Sequence, residues 1–298
     1  MQKNCVSIEY QLSSLSIKGL TNCSIIQAEH NTNAAPILCL HGWLDNSASF
    51  LPIMPYLDGV VAVDWPGHGL SSHRSAGAHY HFIDYVYDLL ELFESNQWPA
   101  LNIVAHSMGG MVATMFASAF PEKVKTLTLI DSLGFITDSI ENTSINLRKG
   151  LLSRLALAKK NQHQKVLNKT KMHANIDAAI KARLQVSDLH YGDAKLLVER
   201  GMQAVDDGFV WRSDPRLMTK SPVRLSPTQA QQLIQAINIP VQLIYGDKGM
   251  DLVKVGLESY HASFNHFKST MLAGGHHVHM EQAKATAALI NYFINDNS

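Results

Sequence analysis

Residues 101–119 read LNIVAHSMGGMVATMFASA, in which an apolar run ends at a serine between small residues and a second apolar run begins. The first run predicts a buried strand and the second predicts a helix. Ser107 therefore lies where a strand turns sharply into a helix, a turn that lifts the serine hydroxyl above the carboxyl end of a sheet. Gly109 and Gly110 keep the turn narrow, and Ala105 stands where the pattern G-x-S-x-G has its first glycine.

Short apolar runs alternate with helical patterns on both sides of this turn, which predicts a parallel sheet wrapped by helices. The sheet strands are predicted at 37–40, 60–63, 101–105, 124–130, 241–245 and 268–272. The helices are predicted at 48–57, 82–97, 108–120, 228–236, 253–262 and 281–294. Residues 6–12 and 15–28 predict an antiparallel hairpin at the sheet edge, so the whole sheet is expected to have eight strands.

The alternation stops between Gly134 and Arg224, where helical patterns prevail. We predict that 134–224 is a helical cap inserted into a core formed by 1–133 and 225–298. The predicted cap has 16 Lys and Arg against 9 Asp and Glu, and the core has 9 against 16, so the net charge of zero hides two opposite charges. Two interpretations are open: the positive charge attracts anionic substrates, or it holds the cap against the core.

The composition narrows the class of protein. With 46% hydrophobic and 17% charged residues, the chain is expected to be a soluble globular protein. Its 298 residues are enough for one large α/β domain and an insertion. A net charge of zero predicts no nucleic-acid partner and no membrane partner. The first residues lack a targeting pattern, and no apolar run reaches the ~20 residues of a membrane span, so a cytoplasmic location is expected. Cys5, Cys23 and Cys39 are scattered without metal-ligand spacing, which predicts reduced thiols and no metal site.

Acyl transfer by a serine requires a base, an acid that orients the base, and two N–H donors for the oxyanion. Trp43 follows the first core strand, and its backbone N–H is predicted to form an oxyanion hole with that of Met108, the residue after the serine. The segment 274–281, GGHHVHME, follows the last strand and precedes the last helix. Within it, His276 is the favoured base because it directly follows two glycines, and His277 is the alternative.

The acid has three candidates. Asp131 ends the predicted strand at 124–130, whereas Asp247 and Asp251 follow the predicted strand at 241–245. Both loops are able to reach the histidine, so the residues alone leave the acid open. The remaining histidines near the turn, His41 and His106, are expected to act as hydrogen-bonded supports. His279 is expected to stabilise the loop or line the pocket.

Taken together, the motifs make the chain resemble an α/β-hydrolase of the esterase–lipase group. In the family's order, they are His41-Gly42-Trp43, the segment 64–71 reading DWPGHGLS, the Ser107 turn and 274–281. The resemblance extends over nearly the whole chain and is greatest to the serine hydrolase-like proteins, whose cap pattern is similar to residues 201–217. It implies a mostly parallel eight-stranded sheet with helices on both faces and an inserted helical cap. Asp64 is implied to brace the neighbouring loops.

The resemblance also implies an activity. A serine hydrolase of this kind cleaves a small-molecule carboxylic ester through an acyl-enzyme on Ser107 and needs no cofactor. Alternatives on the same residues are thioester or carbon–carbon bond hydrolysis, and a small-ligand sensor with incidental hydrolysis. Candidate residues for the substrate pocket in the cap are Leu151, Leu155, Met202 and Trp211.

The resemblance bears on the acid as well. The family usually has an aspartate in a Gly-x-x-Asp loop after the seventh strand, but the corresponding segment here is Gly246-Asp247-Lys248-Gly249. Some relatives with a cap use a carboxylate at the end of the sixth strand instead. The resemblance therefore favours Asp131 as the acid, then Asp247, then Asp251.

Overall fold

One mixed sheet organises the chain in the computed structural model, which describes residues 5–23, 36–167 and 172–298, with only the backbone for 163–167. Its eight strands are β1 (Val6–Gln11), β2 (Ser16–Thr21), β3 (Ile37–Leu40), β4 (Val60–Val63), β5 (Leu101–His106), β6 (Val124–Ile130), β9 (Val241–Gly246) and β10 (Phe267–Leu272). They lie in the order β1-β2-β4-β3-β5-β6-β9-β10. Strand β2 is antiparallel to both of its neighbours, and every other pairing outside the β1–β2 hairpin is parallel. The predicted fold class is confirmed.

Helices cover both faces of this sheet. They are α1 (Phe82–Ser95), α2 (Met108–Ala119), α6 (Pro227–Gln235), α7 (Asp251–Tyr260), the short α8 (Val278–Glu281) and α9 (Ala283–Asp296). Strands β3 and β4 are buried along their whole length, as expected for central strands covered on both sides. Successive residues of β3 point in opposite directions: Leu38 and Leu40 join the apolar cluster under α1 and α2, whereas Ile37 and Cys39 join the cluster under α9.

The structure corrects three of the predicted elements. The helix predicted at 48–57 is replaced by two 3-10 turns, Ser47–Phe50 and Met54–Tyr56. Pro52 and Pro55 explain the difference, because each lacks the N–H that an α-helix interior requires. The helix predicted at 281–294 begins at Ala283 as α9, and the separate short helix α8 precedes it. The strand predicted at 15–28 ends at Thr21, and residues 24–28 of that prediction lie outside the described part of the chain.

Residues 134–224 contain α3 (Thr143–Leu167), α4 (Ile176–Leu184) and α5 (Tyr191–Gly201). They also contain an antiparallel hairpin of β7 (Met202–Val205) and β8 (Gly208–Trp211), which the helical patterns of this segment did not predict. Part of the segment forms a third apolar cluster, which includes Ile180, Val198 and Met202 together with Met280 from outside the segment. The division into core and cap stays a prediction.

Ion pairs join this segment to the rest of the chain. Arg200 contacts Asp64 at 2.8 Å, and Arg183 contacts Asp45 at 2.6 Å; both carboxylates are buried. Asp64 also accepts hydrogen bonds from the backbone N–H groups of Ser47 and Leu70, so it braces two loops. Burial by itself would raise the pKa of Asp64, but the Arg200 guanidinium, His41 and the Leu70 N–H together lower it. These contacts favour the interpretation in which the opposite charges hold 134–224 against the core.

In the described part of the chain, no helix has both the length and the apolar character that a membrane span requires.

Candidate active site

Ser107 occupies a strained turn between β5 and α2. Its φ of 51° and ψ of −119° lie outside the regions that residues other than glycine favour. Neighbouring groups hold the strained backbone in place: Ser107 N–H donates to Ile130 O at 3.1 Å, and the Ser132 hydroxyl donates to Ser107 O at 2.8 Å. Gly109 faces β3 so closely that a Cβ there would lie 2.3 Å from Leu40 O. The turn thus requires a glycine at 109 and presents the serine at the carboxyl end of β5.

His276 lies between Ser107 and Asp131. Its Nε2 is 3.0 Å from Ser107 Oγ, and its Nδ1 is 2.6 Å from Asp131 Oδ2. A carboxylate only accepts hydrogen bonds, so the Nδ1 of a neutral His276 carries the proton. The lone pair of Nε2 then faces the Ser107 hydroxyl, which is the arrangement that a general base needs.

Asp131 is buried at the end of β6, with a φ of 43° that an aspartate tolerates better than most residues. Its carboxylate accepts hydrogen bonds from Gly246 N–H at 3.3 Å and Met250 N–H at 3.0 Å. A Cβ built on Gly249 would lie 2.0 Å from Asp131 Oδ1. The carboxylate of residue 131 therefore occupies the space that a side chain at position 249 would take.

The other two candidate acids do not reach the histidine. Asp247 accepts a hydrogen bond from Gly274 N–H at 2.8 Å and is exposed. Asp251 begins α7, pairs with Lys254 at 3.3 Å and has a side chain that is 94% exposed. Of the three candidates, the structure brings only Asp131 to His276.

The predicted oxyanion donors belong to the residue after Ser107 and to the loop that follows β3. Met108 is the first residue of α2, so its backbone N–H has no intrahelical acceptor. The loop before Trp43 passes close to Ser107, because a Cβ on Gly42 would lie 3.1 Å from Ser107 Cβ. The indole N–H of Trp43 donates to Leu217 O at 3.2 Å, which ties this loop to the segment 134–224. The role of the two backbone N–H groups stays a prediction.

His41 and His106 contact backbone groups around the site. His41 Nε2 accepts a hydrogen bond from Trp65 N–H at 2.9 Å, and its Nδ1 donates to Gly42 O at 2.7 Å. His106 Nε2 donates to the carbonyl of His276 at 3.0 Å. Burial lowers the pKa of both His41 and His106, which favours their neutral forms. Both therefore support the loops on which the triad candidates lie.

His277, the alternative base, has both ring nitrogens occupied by carboxylates. Its Nε2 is 3.1 Å from Asp45 and its Nδ1 is 3.2 Å from Asp188. Burial by itself would lower the pKa of His277, but the two carboxylates raise it to about 9. His277 is therefore protonated at neutral pH and forms a buried cation between Asp45 and Asp188. In that state it has no lone pair with which to act as a base.

Asp188 also holds the backbone of the histidine loop. It accepts a hydrogen bond from His276 N–H at 2.5 Å, and a Cβ on Gly275 would lie only 1.9 Å from its Oδ2. The Gly275 N–H in turn donates to Glu281 at 3.0 Å. The hydrogen bond from His277 is the main cause of the lowered pKa of Asp188. The sequence did not indicate a role for Asp188, because no local motif connects it to His276, which is 88 residues away.

One set of side chains in the described residues has the proximity of metal ligands. Asp45, His106 and His277 offer atoms that lie within 4.8 Å of one another. The Asp45 carboxylate is already paired with Arg183 and with the His277 side chain. We therefore describe this set as an ionic group and assign no cation to it.

The ionic group leads to a pH prediction. Because the pKa of about 9 for His277 exceeds its ordinary value of 6.5, the stability that this pairing contributes is complete below 6.5 and is lost as pH rises through about 9. The ester hydrolysis that is proposed below should slow over the same alkaline range. Asp188→Asn should lower kcat about tenfold, by analogy with the loss of a charged hydrogen bond, and should move the alkaline fall to lower pH.

The measurement is kcat and KM as functions of pH for wild type and Asp188→Asn. Asp177→Asn is a matched control in the same segment, because Asp177 is exposed and contacts Lys181 and Tyr191. An Asp188→Asn profile that coincides with that of wild type would contradict this role of Asp188.

Comparisons with known proteins agree with this architecture. A family model described as alpha/beta hydrolase fold matches residues 35–283. The chain is 33% identical over 278 residues to a serine hydrolase-like protein of Danio rerio, covering 90% of this chain and 83% of that protein. It is 32% identical over 277 residues to serine hydrolase-like protein 2 of Homo sapiens, covering 87% and 86%.

A solved structure is also similar over most of the chain. The crystal structure of a hypothetical protein from Pseudomonas aeruginosa PAO1 superposes with a TM-score of 0.83 at 31% sequence identity, covering 96% of this chain and 97% of that one. The family match, the curated relatives and the observed sheet order point to one conclusion. The chain belongs to the α/β-hydrolase fold family.

Proposed function

We propose that this protein is a serine hydrolase that cleaves carboxylic esters of small molecules through an acyl-enzyme on Ser107. The observation that carries the proposal is the row of hydrogen bonds from Ser107 Oγ through His276 to Asp131, with distances of 3.0 and 2.6 Å. Membership of the α/β-hydrolase family and the names of the curated relatives support the general class.

In the first half of the proposed reaction, His276 Nε2 takes the proton of the Ser107 hydroxyl as Oγ attacks the ester carbonyl. The imidazolium that forms is stabilised by the buried Asp131 carboxylate. The backbone N–H groups of Trp43 and Met108 donate to the oxyanion of the tetrahedral intermediate. His276 then gives the proton to the leaving alcohol, and the acyl group remains on Ser107.

In the second half, a water molecule takes the place of the leaving alcohol. His276 accepts a proton from the water as the water oxygen attacks the acyl carbonyl. His276 then returns the proton to Ser107 Oγ when the carboxylic acid leaves. The protein itself supplies the nucleophile, the base and the oxyanion donors. The proposed reaction therefore uses no cofactor.

The proposal is tested with a panel of p-nitrophenyl esters of increasing acyl length. We expect turnover on at least the shorter esters, and the dependence of kcat/KM on acyl length to measure the size of the acyl site. A thioester and a vinylogous 1,5-diketone are assayed in parallel, because the same residues are able to act on either bond.

Faster cleavage of the diketone or of the thioester than of every ester would replace the ester proposal by one of those activities. A folded protein that gives a single turnover on all substrates would instead favour a ligand sensor with incidental hydrolysis. Either result would change the proposed activity, but it would not affect the hydrogen bonds that link Ser107, His276 and Asp131.

A further inference from the structure

The long helix α3 has an unusual distribution of charge. Thr143–Leu167 contains six Lys and Arg and no Asp or Glu. Among the described side chains, three on one side of the helix contact the rest of the molecule: Gly150 packs on Pro222, Ser153 accepts a hydrogen bond from Lys220 N–H at 3.2 Å, and Arg154 bonds to His81 at 3.1 Å. The helix is therefore held along one side while its other side faces outward.

The outward side combines aliphatic and basic side chains, and we call it the cationic face. It consists of Lys149, Leu151, Leu152, Leu155, Lys159 and Lys160, all of which are exposed. Each of the three leucines has 51% of its surface exposed. Leu152, Leu155 and Lys159 follow one another at helical spacings of three and four residues, so they share one stripe.

Single exposed leucines are common on protein surfaces, but several adjacent ones usually mark a contact surface. Leu151 and Leu155 are also candidates for the substrate pocket from the sequence, a role that stays a prediction, and both are half exposed on this side of the helix. The cationic face thus has both the apolar surface and the positive charge for a partner of opposite charge.

We propose that the cationic face binds the surface of an anionic phospholipid bilayer. The leucines would enter the boundary between head groups and acyl chains, while the lysines extend their ammonium groups past them to the lipid phosphates. Basic side chains close to an anionic leaflet each favour binding, and α3 brings no carboxylate that would oppose it.

A second copy of the chain fits this face less well than a bilayer. The buried centres of protein–protein interfaces are depleted of lysine, because each ammonium group would have to lose water without a fixed partner. On the cationic face the lysines lie among the leucines, so a protein partner would have to bury both kinds of side chain together. A bilayer surface leaves the ammonium groups hydrated and beside phosphates.

The overall neutrality of the chain led to the expectation of no membrane partner. That expectation rests on total charge, whereas peripheral binding depends on local charge within about one Debye length, roughly 8 Å at physiological salt. The inference is independent of the proposed hydrolysis, because none of the residues of the cationic face belongs to the triad candidates or the oxyanion loops.

The test measures binding of the purified protein to phosphatidylcholine vesicles with and without phosphatidylserine, by co-sedimentation at low and high salt. Wild type should bind the phosphatidylserine vesicles, and high salt should weaken the binding. Lys159→Gln/Lys160→Gln should bind about twenty-five-fold more weakly, since each basic side chain contributes roughly fivefold. Leu151→Ser/Leu155→Ser should lose binding at least as strongly.

The matched control is Lys254→Gln/Lys284→Gln, which removes the same charge from exposed positions on α7 and α9 and should bind like wild type. Circular dichroism verifies that each variant is folded. Wild-type binding that is equal on both kinds of vesicle, or that is unchanged in Lys159→Gln/Lys160→Gln, would overturn the proposal. So would a wild-type dimer that becomes a monomer in Leu151→Ser/Leu155→Ser without vesicle binding, since the face would then join two copies.

Discussion

Ser107→Ala should lower kcat for ester hydrolysis about a million-fold, to a rate close to that of the uncatalysed reaction assisted by binding alone. The effect is the largest that we expect, because in the proposed mechanism Ser107 Oγ is the protein atom that forms a covalent bond to the substrate, and the substitution removes it. The strained backbone at Ser107 accommodates alanine no worse than serine, and its hydrogen bonds to Ile130 and Ser132 use backbone atoms of residue 107. The variant should therefore fold normally.

The test compares steady-state kinetics of wild type, Ser107→Ala, His276→Ala and the double variant. Residues that act as a unit give non-additive losses, so the double variant should be no slower than Ser107→Ala alone. Ser118→Ala is a control on the same helix, because the Ser118 hydroxyl only donates to Met115 O. If Ser107→Ala kept more than about a hundredth of wild-type kcat, the measured loss would be far smaller than the expected one. That result would contradict a nucleophilic role for Ser107.

Asp131→Asn should lower kcat about ten-thousandfold, because an amide in place of the carboxylate no longer stabilises the His276 imidazolium and favours the wrong tautomer. Asparagine has the same shape and retains an oxygen that is able to accept from Gly246 or Met250 N–H. The loss should therefore appear in kcat more than in stability, and thermal unfolding of the variant checks this.

The other candidate acids provide the controls. Asp247→Asn and Asp251→Asn should leave kcat nearly unchanged, because neither carboxylate contacts His276. Because a side chain at position 249 would occupy the space of the Asp131 carboxylate, a second test is possible. The double variant Asp131→Gly/Gly249→Asp should have a higher kcat than Asp131→Gly alone, since the new carboxylate enters the space that the old one leaves. A loss of kcat in Asp247→Asn that equals the loss in Asp131→Asn would contradict the assignment.

Much of the fold follows from local patterns. The apolar runs and the small residues around Ser107 predicted a strand, a turn and a helix, and β5 and α2 occur there. Local patterns failed where the chemistry of a few residues prevails, as in the 3-10 turns at Pro52 and Pro55. They also missed the β7–β8 hairpin, whose short exposed strands carry a weak apolar signal.

The candidate site was less predictable, because its contacts join distant parts of the chain. The sequence left three acids open, and only the position of Gly249 beside Asp131 in space explains why the usual loop has no aspartate there. Asp188 and His277 formed no recognisable motif, since their contact depends on how the segment 134–224 packs against the histidine loop. Chemistry carried by a local turn was predictable, and chemistry assembled between segments was not.

The most direct test of the central claim is to identify the residue that a fluorophosphonate modifies, by peptide mass spectrometry of the labelled protein. The proposed nucleophile predicts one phosphonyl adduct, on Ser107, formed quickly by wild type and slowly by Asp131→Asn, since the base then loses its orientation. An adduct on another residue, or no adduct on a folded wild-type protein, would contradict the claim that Ser107 is an activated nucleophile.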